Sequence, residues 1–262
     1  MRGSLRRLYE YGALYLALLM LGAGCLAWSA AALPLAVVLP RELGLQIGRR
    51  GISIGFRLYL WALGVFCGCR FDLAALDHLR GAGPFVIAPN HPSLLDALMI
   101  LSRLPRTVCI LKAGLIDNVF MGAGARLAGF IRNDQFVGLI KCALQELNAG
   151  YHVLVFPEGT RSGADSFKTL KGSVAVIACR AQVPVQTLII EADSPFLGKG
   201  WPLFRRPDLP MHFRIRLGER FEPGHDPQAL TLRLQAYFLQ TLDEPRPAGN
   251  AAKLQPAPAS AP

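Results

Sequence analysis

The chain has 262 residues, of which 52% are apolar and only 18% are charged, and 28 Lys and Arg against 18 Asp and Glu give a net charge of +10. Soluble domains carry about 25% charged residues, so this composition excludes general disorder and collagen-like repeats and favours a membrane-associated protein that meets anionic partners. The six cysteines show no spacing typical of metal ligands or disulfides, and we interpret them as thiols in a reducing compartment.

The apolar excess is concentrated near the N-terminus. Residues 11–40 contain no charged side chain, and a straight helix of that length would exceed the roughly 30 Å hydrocarbon core of a bilayer. Because arginines lie on both sides of the run, the positive-inside rule assigns no orientation to a single span. A second, shorter apolar run follows at residues 58–69.

Three interpretations of this segment remain open: a cleaved signal peptide, which its length disfavours, a transmembrane helix, and a monotopic or re-entrant helical hairpin. Breaks at Gly22, Gly24 and Pro34 favour the hairpin, whose two basic flanks would both lie on anionic cytoplasmic head groups. We therefore expect residues 1–69 to anchor the chain in the inner (cytoplasmic) membrane, with the remaining chain facing the cytoplasm.

Beyond this anchor, short apolar runs alternate with helical patterns. Strands are predicted at residues 85–88, 107–111, 153–156, 185–190 and 213–217, and helices at residues 94–99, 136–148, 174–181 and 230–242. Strands that alternate with helices predict an α/β fold, a buried sheet flanked by helices, over residues 70–244. The tail at residues 245–262 is rich in Pro and Ala, and we expect it to be disordered.

A histidine and an acid follow the first predicted strand. The segment from Pro89 to Asp96 contains Asn-His-Pro-Ser-Leu-Leu-Asp, and Pro92 suits the first helical position because it has no N–H to satisfy there. Asp96 is then near enough to His91 to fix its tautomer, which leaves the other ring nitrogen as a base for a hydroxyl that attacks an acyl carbonyl. The alternative is a capping or core histidine beside an unrelated acid.

A second polar segment, Phe-Pro-Glu-Gly-Thr-Arg-Ser at residues 156–162, leaves the end of another strand, where sites in α/β sheets gather. Gly159 permits an unusual turn, and Arg161 offers a planar fork for a phosphate or carboxylate. Glu158 would accept hydrogen bonds from substrate hydroxyls or hold Arg161. The alternative is a solvated, charged turn. Two lysines a few residues further on would add positive charge to this turn; they are Lys168 and Lys171.

Together these segments resemble the motifs of the glycerolipid acyltransferase family, whose best-known members are 1-acylglycerol-3-phosphate acyltransferases. The family's first motif, N-H-x-x-x-x-D, is matched from Asn90 to Asp96, and its third, F-P-E-G-T-R-S, is matched at every position of residues 156–162. The resemblance covers residues 65–220, with the apolar N-terminus in the usual place. It implies the family's sheet flanked by helices, with an N-terminal membrane helix or helical hairpin.

The resemblance implies transfer of a fatty acyl chain from acyl-CoA or acyl carrier protein, as a substrate, to the hydroxyl of a membrane lipid acceptor, with neither cofactor nor metal. It implies that His91 is the general base and that Asp96 orients it. The residues expected to bind the acceptor are Glu158, Gly159, Thr160, Arg161, Arg132, Lys168 and Lys171.

Two other motifs of the family are incomplete. The second places an Asp-Arg pair after a glycine and an apolar stretch, whereas residues 129–134 are Gly-Phe-Ile-Arg-Asn-Asp, with Arg132 shifted. The fourth has two prolines, of which only Pro184 is present. Both differences fall where the acceptor would bind. The acceptor therefore stays open between a lysophospholipid such as 1-acylglycerol 3-phosphate and another lipid, such as an ornithine-type or aryl polyene lipid.

Basic residues also cluster late in the chain. One interpretation is a surface that binds lipid head groups or an acidic acyl carrier protein, and the alternative is a solvated strand face. The residues are Lys199, Arg205, Arg206, Arg214, Arg216 and Arg220. Nucleic acid is not an expected partner, because no recognition motif accompanies the charge. The rival functions are a thioesterase or lipase, in which water or a serine replaces the lipid nucleophile, and a catalytically silent lipid-binding protein.

Overall fold

A computed structural model describes residues 2–162, 167 and 170–243 of the chain. The predictions for Lys168 and for the tail at residues 245–262 fall outside these residues.

The N-terminus forms a hairpin of two long helices, α1 (Arg2–Val38) and α2 (Arg41–Cys67). The prediction of breaks at Gly22, Gly24 and Pro34 is wrong, since α1 continues through all three. A glycine costs a helix only about 1 kcal/mol relative to alanine, and Pro34 lies near the end of α1, where few helical hydrogen bonds follow it. The chain turns at Pro40 instead, because the residue before a proline disfavours the helical conformation.

The hairpin packs along the rest of the chain instead of projecting away from it. By length and composition, α1 is the one helix of the described residues that could cross a membrane. Its Leu14 is nonetheless buried in the core with Leu60 and Leu63 of α2, and further along α1 the Ser29 hydroxyl donates to the Phe120 carbonyl at 2.7 Å. Both halves of α1 therefore contact the α/β domain.

Within the described residues, seven strands form one sheet in the order β1-β7-β6-β2-β5-β3-β4. They are β1 (Arg70–Asp72), β2 (Val86–Pro89), β3 (Thr107–Leu111), β4 (Ile131–Arg132), β5 (His152–Leu154), β6 (Val185–Ala192) and β7 (His212–Phe221). Of these neighbours, β6 and β7 are antiparallel and the other pairs are parallel. The predicted α/β sheet is confirmed, but the short β1 and β4 were not predicted, because two or three residues carry no recognisable alternation.

Helices cover both faces of this sheet. On one face lie α1, α2, the 3₁₀ helix Ala74–Leu79 and α3 (Asp96–Arg103), and on the other lie α6 (Phe136–Asn148), α7 (Ser173–Ala181) and α8 (Pro227–Asp243); α4 (Ala113–Ile116) and α5 (Gly122–Leu127) connect β3 to β4. Because side chains alternate along a strand, Ile87 of β2 packs in the first core and Val86 in the second. Both sides of the central strands are thus buried.

Candidate active site

The two motif segments, residues 89–96 and 156–162, meet because their strands are neighbours. β2 and β5 are parallel and paired, with Ile87 opposite Leu154. The carboxyl ends of parallel strands lie at the same edge of a sheet. The turn after β2 and the turn after β5 are therefore side by side at that edge, although about 65 residues separate them in sequence.

The histidine and the acid of the first turn are in direct contact. His91 Nδ1 lies 2.8 Å from Asp96 Oδ2, and the same oxygen accepts the Ser93 N–H at 2.8 Å. The Asp96 side chain has no solvent-exposed surface, whereas 15% of the His91 side chain is exposed. With Nδ1 donating to the carboxylate, Nε2 is the free base on the opposite side of the ring.

Burial sets the protonation of the acid. It raises the pKa of Asp96 to about 6, while the hydrogen bonds from His91 and Ser93 act in the opposite direction. Above that pH the carboxylate is ionised. It can then hold the neutral tautomer of His91 and stabilise an imidazolium once the ring accepts a proton.

The prediction that Pro92 opens a helix is wrong, because α3 begins only at Asp96. The preceding N–H groups are satisfied by other partners: Leu94 donates to the Leu197 carbonyl at 3.2 Å, and Leu95 donates to the Ser93 hydroxyl at 3.3 Å. Since these donors have partners outside any helix, residues 90–95 remain an irregular turn. The turn, and not a helical repeat, brings Asp96 back to the imidazole.

The second segment holds the backbone of His91 from both sides. Glu158 Oε1 accepts the His91 N–H at 2.9 Å and the Ser162 hydroxyl at 2.7 Å. The Ser162 N–H in turn donates to the His91 carbonyl at 2.7 Å, and the Phe156 ring stacks on the imidazole with centroids 3.9 Å apart. Glu158 is buried. Its Oε1 is engaged with the protein, which makes Glu158 a residue that positions His91.

The remaining residues of the second segment surround a tight turn. Gly159 has a φ of +68°, and a Cβ there would lie 2.5 Å from Lys171 Cε, so the lysine side chain passes directly over this glycine. Thr160 is exposed. Arg161 Nη1 donates to the carbonyls of Leu197 at 2.9 Å and Gly198 at 2.7 Å. One terminal nitrogen of the guanidinium, which was predicted to bind an anion, therefore holds the loop after β6 instead.

Arg132 is not brought to this cluster. It lies at the carboxyl end of β4, three strands from β2 and so about 14 Å away at about 4.8 Å per strand. Its guanidinium donates to Asp117 at 2.7 and 3.2 Å and to Asp134 at 2.8 and 3.1 Å. These hydrogen bonds raise the pKa of Arg132 above its usual range and offset its positive charge.

Several contributing residues were not predicted as site residues. Asn90 bridges β2 to β6, donating from Nδ2 to the Ile190 carbonyl at 2.9 Å and accepting the Ile190 N–H at 2.6 Å. Phe156 and Ser162 contact His91 as described above. All three lie inside the matched motifs, so the motif positions themselves were the signal that they matter.

A serine-hydrolase spacing also occurs in the chain, since residues 51–55 are Gly-Ile-Ser-Ile-Gly. A nucleophile elbow requires a strand-to-helix turn that exposes the serine. Here Ser53 lies in the middle of α2, is buried, and donates to the Ser102 carbonyl at 3.2 Å. This serine connects α2 to α3 and is not placed to act as a nucleophile.

Comparison with known proteins places the segments of this site inside a known family model. Residues 70–191, which contain both segments, match the family model described as Acyltransferase. The chain is similar to the 1-acyl-sn-glycerol-3-phosphate acyltransferase alpha of Homo sapiens, at 31% identity over 55% of this chain and 53% of that protein. It is also similar to the 1-acyl-sn-glycerol-3-phosphate acyltransferase of Helicobacter pylori, at 30% identity over 47% of this chain and 57% of that protein. The chain thus spans about half the length of these curated relatives.

A solved structure shows the same fold over nearly the whole chain. The 1-acyl-sn-glycerophosphate (LPA) acyltransferase PlsC of Thermotoga maritima superposes with a TM-score of 0.64 and 18% identity, covering 93% of this chain and 97% of that one. The fold of this chain is therefore that of a solved acyltransferase, and residues 70–191, which carry both motifs, match the Acyltransferase family.

Proposed function

We propose that this chain is a membrane-associated O-acyltransferase that moves a fatty acyl chain from acyl-CoA or acyl carrier protein to the hydroxyl of a lysophospholipid such as 1-acylglycerol 3-phosphate. The observation that carries the proposal is the 2.8 Å contact between His91 and the buried Asp96, in a turn held by Glu158 and Ser162. The similarity to 1-acyl-sn-glycerol-3-phosphate acyltransferases supports this class of acceptor.

The reaction follows from the orientation of the imidazole. His91 Nε2 removes the proton of the lipid hydroxyl as its oxygen attacks the thioester carbonyl, and the ionised Asp96 stabilises the resulting imidazolium. The C–S bond then breaks, and the leaving thiolate takes the proton back from the ring. General-base assistance of this kind contributes about 10²–10⁴-fold to a rate. The mechanism requires no acyl-enzyme intermediate.

The acceptor head group is proposed to bind beside the turn at Gly159. Thr160 is exposed there, and the Lys171 side chain crosses the glycine, which brings its ammonium to the same surface. The N–H groups of Arg161 other than Nη1 complete the anion site. Arg132 contributes only where a phosphate displaces Asp117 or Asp134 from its guanidinium.

The contacts of α1 favour the monotopic hairpin over a perpendicular span. Leu14 and Ser29 of α1 both contact the α/β domain, yet they lie about 22.5 Å apart along the helix axis. A perpendicular α1 would draw part of that domain into the hydrocarbon. A hairpin within one leaflet keeps the domain on the cytoplasmic side of the inner membrane. Its outward face carries exposed apolar side chains, among them Leu16, Leu19, Leu33, Ile54, Leu58, Trp61 and Val65.

The test is acyl transfer from labelled acyl-CoA and acyl carrier protein to a set of lysophospholipids, with acylated lipid and free fatty acid measured separately. His91→Ala should abolish transfer while the protein stays folded and membrane-bound. His212→Ala is a matched control, because His212 Nδ1 also contacts an acid, Asp193, at 2.7 Å, but both side chains are exposed. Transfer retained by purified His91→Ala refutes the proposal, and free fatty acid as the main product identifies a thioesterase.

A further inference from the structure

The connection from β6 to β7 carries an exposed segment at residues 199–206 that the active site does not use, and we name it the basic-aromatic loop. The loop is internally organised: the Arg205 guanidinium lies 4.5 Å from the centre of the Trp201 ring, and Trp201 Nε1 donates to the Arg205 carbonyl at 3.2 Å. Trp201 also packs edge-on against the buried Phe196, with centroids 6.0 Å apart. These contacts give the loop a defined shape.

Apolar side chains of this loop are exposed beside the hairpin. Phe204 is 62% exposed and Leu203 is 48% exposed. The Phe204 ring lies 6.3 Å from the ring of Tyr15 on α1, and a cleft between the loop and α1 is lined by Tyr11, Trp201, Arg205, Arg206 and Asp208. The apolar surface of the loop is therefore continuous with the outward face of the hairpin.

The positive charge of the region is also concentrated in this loop. Four of the basic residues late in the chain pair with acids: Arg206 with Glu10, Arg214 with Asp72, Arg216 with Glu191 and Arg220 with Glu222. Within the described part of the chain, no ion pair joins Lys199 or Arg205 to an acid. The extended basic surface that an acidic carrier protein would need is thus largely neutralised. The two cations without acidic partners lie among exposed apolar side chains.

We propose that the basic-aromatic loop is a second membrane-docking element, which binds anionic phospholipid head groups in addition to the anchor formed by the hairpin. Lys199 and Arg205 contact lipid phosphates, and Leu203 and Phe204 enter the interface, where Trp201 lies at head-group depth as aromatic residues do in membrane proteins. Each basic residue near an anionic surface strengthens partitioning about fivefold. The inference rests on the proposed membrane association but not on acyl transfer.

The test is the equilibrium distribution of the full-length chain between vesicles of phosphatidylcholine and vesicles that also contain phosphatidylglycerol. Lys199→Gln combined with Arg205→Gln should lower the preference for phosphatidylglycerol by about 25-fold, because each of the two residues contributes a factor of about five. Arg180→Gln is the matched control, since Arg180 is an exposed cation on α7, across the sheet from the hairpin, and should change nothing. Making these changes in the His91→Ala chain separates docking from catalysis.

A second measurement places the loop in the interface. In a chain with Trp28→Phe and Trp61→Phe, Trp201 is the one remaining tryptophan. Brominated acyl chains should quench its fluorescence, and Phe204→Asp should reduce the quenching. An unchanged vesicle preference in the double variant overturns the proposal. So does the absence of quenching in the chain whose one tryptophan is Trp201. If the double variant instead loses transfer from acyl carrier protein alone, with its vesicle preference intact, the loop is a carrier-protein dock.

Discussion

Replacing Asp96 by Asn should affect the stability of the protein and its rate of acyl transfer in different ways. Burial raises the pKa of Asp96 from 3.8 to about 6. A shift of about two pH units corresponds to about 3 kcal/mol, since one unit is about 1.36 kcal/mol. Because the folded-state value is the higher one, the contribution of Asp96 to the free energy of unfolding is greatest below pH 4. This contribution falls by about 3 kcal/mol as the pH rises through 6.

Asn is isosteric with Asp and never ionises, so it removes this penalty. Its side-chain oxygen can still accept from the Ser93 N–H. We expect Asp96→Asn to be at least as stable as the wild type at pH 8, and to lack the part of the pH dependence of stability that Asp96 contributes between pH 4 and 6. Its kcat should nevertheless fall by about 10²–10⁴-fold, because a neutral amide does not stabilise the imidazolium of His91.

The assay is thermal unfolding of both chains across this pH range, together with steady-state acyl transfer at pH 8. A matched control is Asp193→Asn, which removes an exposed acid that contacts His212 and should alter neither property. If Asp96→Asn unfolds at a much lower temperature than the wild type at pH 8, or if it retains full kcat, the assignment of Asp96 as a buried, ionised partner of His91 is refuted.

Three further outcomes test contacts of the site and the packing of the hairpin. Glu158→Ala should lower kcat and leave the KM for the acceptor nearly unchanged, because Glu158 holds the His91 backbone; a raised KM with an unchanged kcat would show that it binds the head group. Gly159→Ala should cost about 1–2 kcal/mol of stability for the positive φ and raise the acceptor KM by displacing Lys171, whereas an unchanged KM would contradict that placement. Arg49→Met should destabilise the chain by about 3–5 kcal/mol in thermal or urea unfolding, because it leaves Glu146 without its buried partner. Adding Glu146→Met should restore much of that loss, and no restoration would count against the ion pair.

Much of the architecture follows from local sequence pattern. The apolar runs of β2 and β6 and the helical spacing of α6 are visible in the sequence because each buries side chains with a regular period. The two motifs are likewise contiguous, so the sequence alone predicted that His91, Asp96 and the turn at Gly159 belong to one candidate site. The proposed class of chemistry follows from the same two motifs.

The partners of individual side chains were decided by the tertiary structure. Local sequence did not indicate that Arg161 would hold the Leu197 carbonyl, or that Arg132 would be bound by two acids at the far end of the sheet. Nor did local sequence indicate that α1 would continue through Pro34. Periodicity and turn chemistry are properties of neighbouring residues, so a sequence expresses them directly. A contact between distant residues depends on strand order, register and the competition among several acceptors for one donor, and these are settled only when the chain is packed.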